Sequence, residues 1–360
     1  TLLLTNSGMA QFKAYFSGEA EPPHPRVTTV QKSFRTTDID EVGDATHLTL
    51  FEMLGNFSFG DYFKYESCMW ALELMTNTLG LAFDRLFFTV HYQDEEAAKI
   101  WLDLGVPTDR LSRFGNRENW WGPAGEEGPC GPCSEIHYYR GDLSEKVRGD
   151  PRETGWGPNV HDDFIELYNL VFTQFYHHID GSRTELPNKN IDTGMGLERA
   201  AMVIQGVPNL FEADVFQPII KAVERMSKTR WGSDQVVDRA IRVVSEHARS
   251  AAFLIGDGVV PGNEGRGYVL RRIIRRGVRF GRSLGLEPPF MGSIVQLVIE
   301  HMGHIYRELV ENQPFILRVL QLEEEKFAST VDQGTELLGS QIAARGKIVP
   351  AVLSLRGYES

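Results

Sequence analysis

Asn190-Ile191-Asp192-Thr193-Gly194-Met195-Gly196-Leu197-Glu198-Arg199 is the stretch on which the reading of this chain turns. A run rich in β-branched and aromatic residues, Phe164 to Tyr176, precedes it and reads as a strand. Leu197 to Gln205 follows it and reads as a helix. Two glycines bracket Met195 at the join, where they would let backbone approach a ligand closely and turn into the helix. Asp192 is expected where the strand side ends, and Arg199 in the first turns of the helix, within reach of the same cleft. A carboxylate and a guanidinium flanking such a turn suit a ligand that carries both an ammonium and a phosphate. The plainer reading, a strand-to-helix connection with an Arg on the helix surface, is the commoner one for this spacing taken alone.

Upstream, residues 1–16 read as a strand (Thr1–Thr5), a turn at Asn6-Ser7-Gly8 and a short helix through Gln11-Phe12-Lys13. Beyond a Pro-rich link, Arg26–Phe34 alternates as a strand does. A short polar loop, Thr36–Gly43, leads to a second strand, Thr46–Leu54, giving an antiparallel hairpin. Arg35 and Phe51 would then lie near each other, an Arg for phosphate and a ring for a base; each alone is usually a surface Arg or a core Phe. Tyr65–Thr78 and Asp94–Leu104 read as helices, and Arg85–His91 and Glu135–Tyr139 as strands. Residues 115–133 read as a loop, and 142–163 as a polar, mobile linker.

Past Gln205 the texture becomes helical, with runs at 214–228, 234–255, 267–284, 290–311 and 313–345. The expected organisation is a domain at 1–206, an all-helical domain at 207–345, and an irregular tail at 346–360. A Gly-rich loop, Ile255–Asn263, precedes a helix holding Arg266, Arg271, Arg272, Arg275, Arg276, Arg279 and Arg282. Residues 271, 275, 279 and 282 share a face by their spacing. Such a face suits RNA or another polyanion, or simply a solvated surface.

The 360 residues carry a net charge of −12, which argues against nucleic acid only if spread evenly, and the arginine cluster shows that it is not. No apolar run approaches the roughly 18 residues of a membrane span. Cys68, Cys130 and Cys133 are an odd set, unlike a disulfide framework, so a reducing cytoplasm is expected. Cys130-Gly-Pro-Cys133 is half of a zinc site with no second pair, and it lacks the context of a redox pair; a tight loop with small buried thiols is the favoured reading.

Taken together, Leu4–Lys13, Phe51–Lys64, Gly128–Ile136, Asp192–Arg199 and Gly265–Arg276 resemble the alanyl-tRNA synthetase family of class II aminoacyl-tRNA synthetases. The resemblance implies an α+β fold: a six-stranded antiparallel sheet flanked by helices, followed by a helical domain that reads the tRNA acceptor stem. It implies that ATP and alanine give alanyl-adenylate, and that alanine then passes to the 3′ end of tRNA(Ala). Phe34–Phe51 resembles class II motif 2, and Asp192–Arg199 resembles motif 3. Carried over on these residues, Arg35 holds the α-phosphate and the alanine carboxylate, Phe51 stacks on adenine, and Arg199 holds the γ-phosphate. Trp121 and Asn169 wall and orient alanine, Asp192 pairs with its ammonium, and Gly194 leaves room beside it. Glu166 resembles the Mg²⁺-binding carboxylate of related enzymes. Asn263 resembles the residue that reads the acceptor-stem G·U pair, and Arg275 a supporting contact.

The loop Arg35-Thr-Thr-Asp-Ile-Asp looks shorter than the family's and lacks its lysine. The chain also lacks an N-terminal lead-in, an editing domain with its zinc ligands, and an oligomerisation module. It is therefore expected to be the aminoacylation part only, monomeric, without zinc and away from membranes. A binder of the tRNA acceptor stem that has lost catalysis is the first alternative. Transfer of alanine to a carrier protein is the second; it would leave Asn263 and the arginine helix without a purpose.

Overall fold

The structure, a computed structural model, describes residues 3–345, in two compact units that divide after Lys221. The first unit is built on one sheet of eight strands: β1 (Arg26–Phe34), β2 (Leu50–Phe59), β3 (Leu86–His91), β4 (Leu111–Phe114), β5 (Trp120–Trp121), β6 (Gly128–Tyr139), β7 (Phe164–His177) and β8 (Arg183–Gly196). The order is β1-β2-β8-β7-β6-β3-β4, with β5 paired to β6. The expected sheet had six strands, all antiparallel; this one has eight, and β3 and β4 run parallel.

Every residue of β3 is buried, as befits an apolar run covered on both faces. Phe87 packs with Tyr139, Trp156 and Phe164. Trp156 thereby anchors the polar stretch 142–163 to the core, where the sequence had suggested a mobile linker. On the other flank Phe57 and Phe59 of β2 pack with Met9, Phe12 and Phe16. Helices α1 (Lys64–Glu73), α2 (Glu95–Asp103) and α3 (Leu197–Ile204) belong to this unit, and α4 (Gln217–Ser227) carries the division. Asp94 caps α2 by accepting the Ala97 N–H at 3.0 Å.

Several element readings need correction. Residues 3–5 form no strand. Thr5 makes one backbone contact at the end of β1, accepting the Phe34 N–H at 2.7 Å, and a lone bond is no ladder. Residues 1–2 and the tail 346–360 lie outside the described residues. The second hairpin strand is Leu50–Phe59, not Thr46–Leu54. Asp44 takes the N–H groups of Thr46 and His47 at 2.9 and 2.8 Å, holding both in a turn. The connection after β1 therefore spans residues 35–49, longer than its reading, although it contains no lysine. Cys130-Gly-Pro-Cys133 lies in β6 rather than in a loop, and both thiols are buried and free. Gly131 permits this, because a Cβ there would stand 2.0 Å from the Phe172 carbonyl oxygen.

The second unit carries α5 (Gln235–Gly256), α6 (Gly265–Ser283), α7 (Met291–Met302), a short helix Arg307–Glu311 and α8 (Gln313–Arg345). The single helix read at 290–311 breaks near Gly303, where a Cβ would lie 2.4 Å from the Ile299 carbonyl oxygen.

Candidate active site

The stretch from Asn190 to Gly196 is strand, not turn: it is the last half of β8, paired with β2 on one side and β7 on the other. Neither Gly194 nor Gly196 takes a positive φ. Gly194 serves close approach instead, since a Cβ there would stand 3.1 Å from Met53 Sδ. Helix α3 starts at Leu197 and is tied to β2 by Glu198, whose buried carboxylate accepts the Glu52 N–H at 3.1–3.2 Å. That tie fixes where Arg199 points.

One cavity of about 280 Å³ opens over these strands. Arg35, Phe51, Trp121, Glu166, Asn169, Asp192, Gly194 and Arg199 all line it. Eight expected site residues, spread over more than 160 positions of sequence, therefore share one space. Asn263 and Arg275 belong to the second unit.

Within the cavity the charges are arranged by chemistry. The Arg35 guanidinium lies 5.0 Å from the centre of the Phe51 ring, and its Nε donates to the Asn6 carbonyl oxygen at 3.3 Å. Register explains the first contact, since Ser33 pairs with Phe51 and Phe34 with Leu50, placing Arg35 just beyond the paired strands. Burial draws the Arg35 pKa down, opposed by Asp38 and Glu166. Arg199 Nη1 lies 3.3 Å from Glu166 Oε2. Burial pushes the Glu166 carboxyl up, but Arg199, then His137 and Arg35, outweigh it and hold the group below its ordinary range.

Asp192 differs from both. It is 5% exposed, and burial alone pushes its carboxyl up to about 7. No ion pair to it forms among the described residues, so its charged form lacks the partner that a buried carboxylate requires. Asn169 Oδ1, also on the cavity wall, is buried without a hydrogen-bond partner. Two buried acceptors without donors describe a place for a group rich in N–H, such as an ammonium.

Sequence reasoning assigned no role to several lining residues. Glu135 is 5% exposed, and its Oε2 takes Thr89 Oγ1, His137 Nε2 and Asn159 Nδ2 at 3.1, 2.9 and 3.0 Å. His47 lines the cavity, and Asp44, 2.5 Å away, raises its pKa. Ser7, Met53 and Cys133 also face the space. Glu135 and Cys133 fall within a block quoted for the resemblance, but the role of each depends on cross-strand neighbours.

Among the described residues no group of three or more His, Cys, Asp or Glu side chains can hold a metal ion. Mg²⁺ usually takes only one or two carboxylates and completes its shell with substrate phosphates and water. Glu166 fits that limited part.

In the second unit the arginine face is less bare than its sequence. Glu323 of α8 lies 2.8 Å from Arg275 Nε and 3.2 Å from Arg271 Nε, and Asp332 lies 2.7 Å from Arg282 Nη2. Arg275 also rests on the Phe327 ring at 5.2 Å. Asn263 Oδ1 accepts from Arg271.

The family described as tRNA synthetases class II (A) matches residues 1–358. Alanine–tRNA ligase of Dehalococcoides mccartyi (strain CBDB1) is 49% identical over 344 residues, which cover 94% of this chain and 38% of the relative. The enzyme of that name from Fusobacterium nucleatum subsp. nucleatum is 47% identical over 344 residues, 95% of this chain and 39% of its own. That of Thermoanaerobacter sp. (strain X514) is 46% identical over 354 residues, 97% of this chain and 40% of its own. The chain thus spans about two fifths of the length of these curated relatives.

Proposed function

This chain belongs to the class II tRNA synthetases, and on that premise we propose that it activates alanine with ATP and transfers it to the 3′ end of tRNA(Ala). The single observation that carries the choice of substrate is Asp192, a buried carboxylate with a pKa near 7 and no cation, in the same cavity as Arg35 and Arg199. An α-amino acid brings the ammonium that Asp192 lacks. Its carboxylate then turns toward Arg35, and its side chain toward Gly194, where Met53 Sδ stands 3.1 Å from the position a Cβ would take. Trp121 walls this end, and Asn169 orients the ammonium.

Adenine would stack on Phe51, with Arg35 at the α-phosphate and Arg199 at the γ-phosphate. Glu166 would share Mg²⁺ with the phosphates, the ion supplying charge neutralisation. The alanine carboxylate attacks the α-phosphorus, and pyrophosphate leaves. Such a step needs alignment and charge stabilisation more than acid–base chemistry. No Ser–His or Cys–His pair is required of the cavity, and the buried Cys133 thiol, its pKa pushed well up by burial, is not a nucleophile. Asn263 and Arg275 of the second unit would contact the acceptor stem.

The test is pyrophosphate–ATP exchange by the purified, folded chain with alanine, glycine and serine in parallel. Exchange stimulated by alanine is expected. ATP binding with no stimulation by any of the three would refute the assignment.

A further inference from the structure

Asn263 stands in the loop just before α6, and that loop is pressed onto the helix. A Cβ at Gly267 would lie 2.7 Å from the Val260 carbonyl oxygen and 2.8 Å from the Gly262 nitrogen. The Asn263 side chain itself is exposed, and among the described residues it makes one hydrogen bond, accepting Arg271 Nη1 at its Oδ1. The chemistry of that partner sets which way the amide faces. A guanidinium only donates, so the atom turned toward it is the oxygen. The two N–H groups of Nδ2 are left for something else. Arg271 is in turn anchored from α8. Its side chain is 16% exposed, and its Nε lies 3.2 Å from Oε1 of Glu323, a buried carboxylate that also takes Arg275 Nε at 2.8 Å.

We propose that Arg271 is a positioning residue: braced by Glu323, it fixes the Asn263 amide with its N–H groups outward, so that Asn263 recognises a hydrogen-bond acceptor in the RNA. The proposal rests on the tRNA-charging reading above. The wide minor groove of A-form RNA displays such acceptors at its base edges and at the 2′ oxygens. An amide free to turn over could offer its oxygen or its nitrogen and so pair with donors and acceptors alike. Held by Arg271, it offers its nitrogen. A single neutral hydrogen bond corresponds to roughly three- to tenfold in kcat/KM.

The experiment measures kcat/KM for charging of tRNA(Ala), with alanine-dependent pyrophosphate exchange beside it. It compares the wild-type chain with Asn263→Ala, Asn263→Asp, Arg271→Ala, Arg271→Lys and the double variant Asn263→Ala/Arg271→Ala. Aspartate keeps the size of the side chain and the oxygen that faces Arg271, but it has no N–H to offer. Asn263→Asp should therefore lose charging together with Asn263→Ala, about three- to tenfold, with exchange unchanged. Arg271→Ala should lose a similar factor, and Arg271→Lys, which can still donate, should recover part of it. The double variant should be no worse than Asn263→Ala alone, because Arg271 acts through that amide. Full charging by Asn263→Asp overturns the proposal, since the side chain would then serve as an acceptor. Losses that multiply in the double variant overturn it too, since Arg271 would then act on its own, as a direct contact or as a brace of the fold. Asn263 is exposed, so the aspartate comparison decides the matter even if Arg271→Ala fails to fold. Either overturning result, with the wild type charging normally, removes the role of Arg271 alone. No charging by the wild type removes the tRNA reading and this proposal with it.

Discussion

Asp192→Asn changes a charge and almost no volume, so it separates electrostatics from packing. Burial moves this carboxyl from an ordinary 3.8 to about 7, some three units, and each unit is worth about 1.4 kcal/mol. The unliganded fold thus favours the neutral acid by about 4 kcal/mol. The sign follows from a folded pKa above the unfolded one: the stabilisation is complete below pH ~4 and is lost as pH rises through ~7. An asparagine stays neutral throughout. The variant should therefore match the wild type at pH 4 and exceed its stability by up to about 4 kcal/mol at pH 8, a large share of a domain's typical 5–15 kcal/mol. Urea unfolding followed by tryptophan fluorescence reads this, since five of the six tryptophans precede Ala222. The same variant should raise the KM for alanine about 10- to 100-fold and barely move that for ATP, because only the ammonium loses its charged partner. Equal stability of the two proteins at pH 8, or equal rises in both KM values, would refute the reasoning.

Phe51→Ala removes the ring beneath Arg35 and the proposed adenine platform, and should raise the KM for ATP about tenfold in exchange assays, given roughly 1–3 kcal/mol for base stacking; a rise confined to alanine would count against that role. Gly194→Ala puts a Cβ 3.1 Å from Met53 Sδ and should weaken alanine more than ATP, measured as separate KM values with circular dichroism confirming the fold. Asn263→Ala should leave exchange intact and lower the charging of tRNA with the acceptor-stem G·U pair; lost exchange would point to a folding role instead.

What the sequence disclosed was chemistry held within contiguous blocks. β1 begins and ends where the alternation places it, Arg26 to Phe34, because an edge strand with one face inward writes that pattern into its own residues. Two pairs, Arg35 with Phe51 and Asp192 with Arg199, were legible because hairpin pairing and the strand–helix join are local; that both pairs line one cavity depends on the long-range pairing of β2 with β8, and only the family resemblance implied it. Strand limits that depend on neighbours were not legible. Gly194-Met195-Gly196 reads as a turn, yet its backbone is held between β2 and β7, and glycine is needed for the Met53 sulfur rather than for φ. Cys130-Gly-Pro-Cys133 reads as a loop, yet Gly131 is what lets β6 close on Phe172.

The arginine helix shows why a count of like charges overstates a field. Nothing between residues 265 and 283 is acidic, so α6 read alone is a bare cationic surface. Its counter-charges come from α8, with Glu323 48 positions after Arg275 and Asp332 50 positions after Arg282. A guanidinium held by a carboxylate can still contact a phosphate, but it must share its donors or give up its partner, and that exchange subtracts from affinity. Whatever polyanion this unit binds must therefore gain from shape and hydrogen bonding what its paired arginines no longer supply as free charge. That shifts weight in the tRNA proposal from Arg275 toward Asn263, an exposed amide in the loop just before the same helix, whose own contact, to Arg271, is a single hydrogen bond.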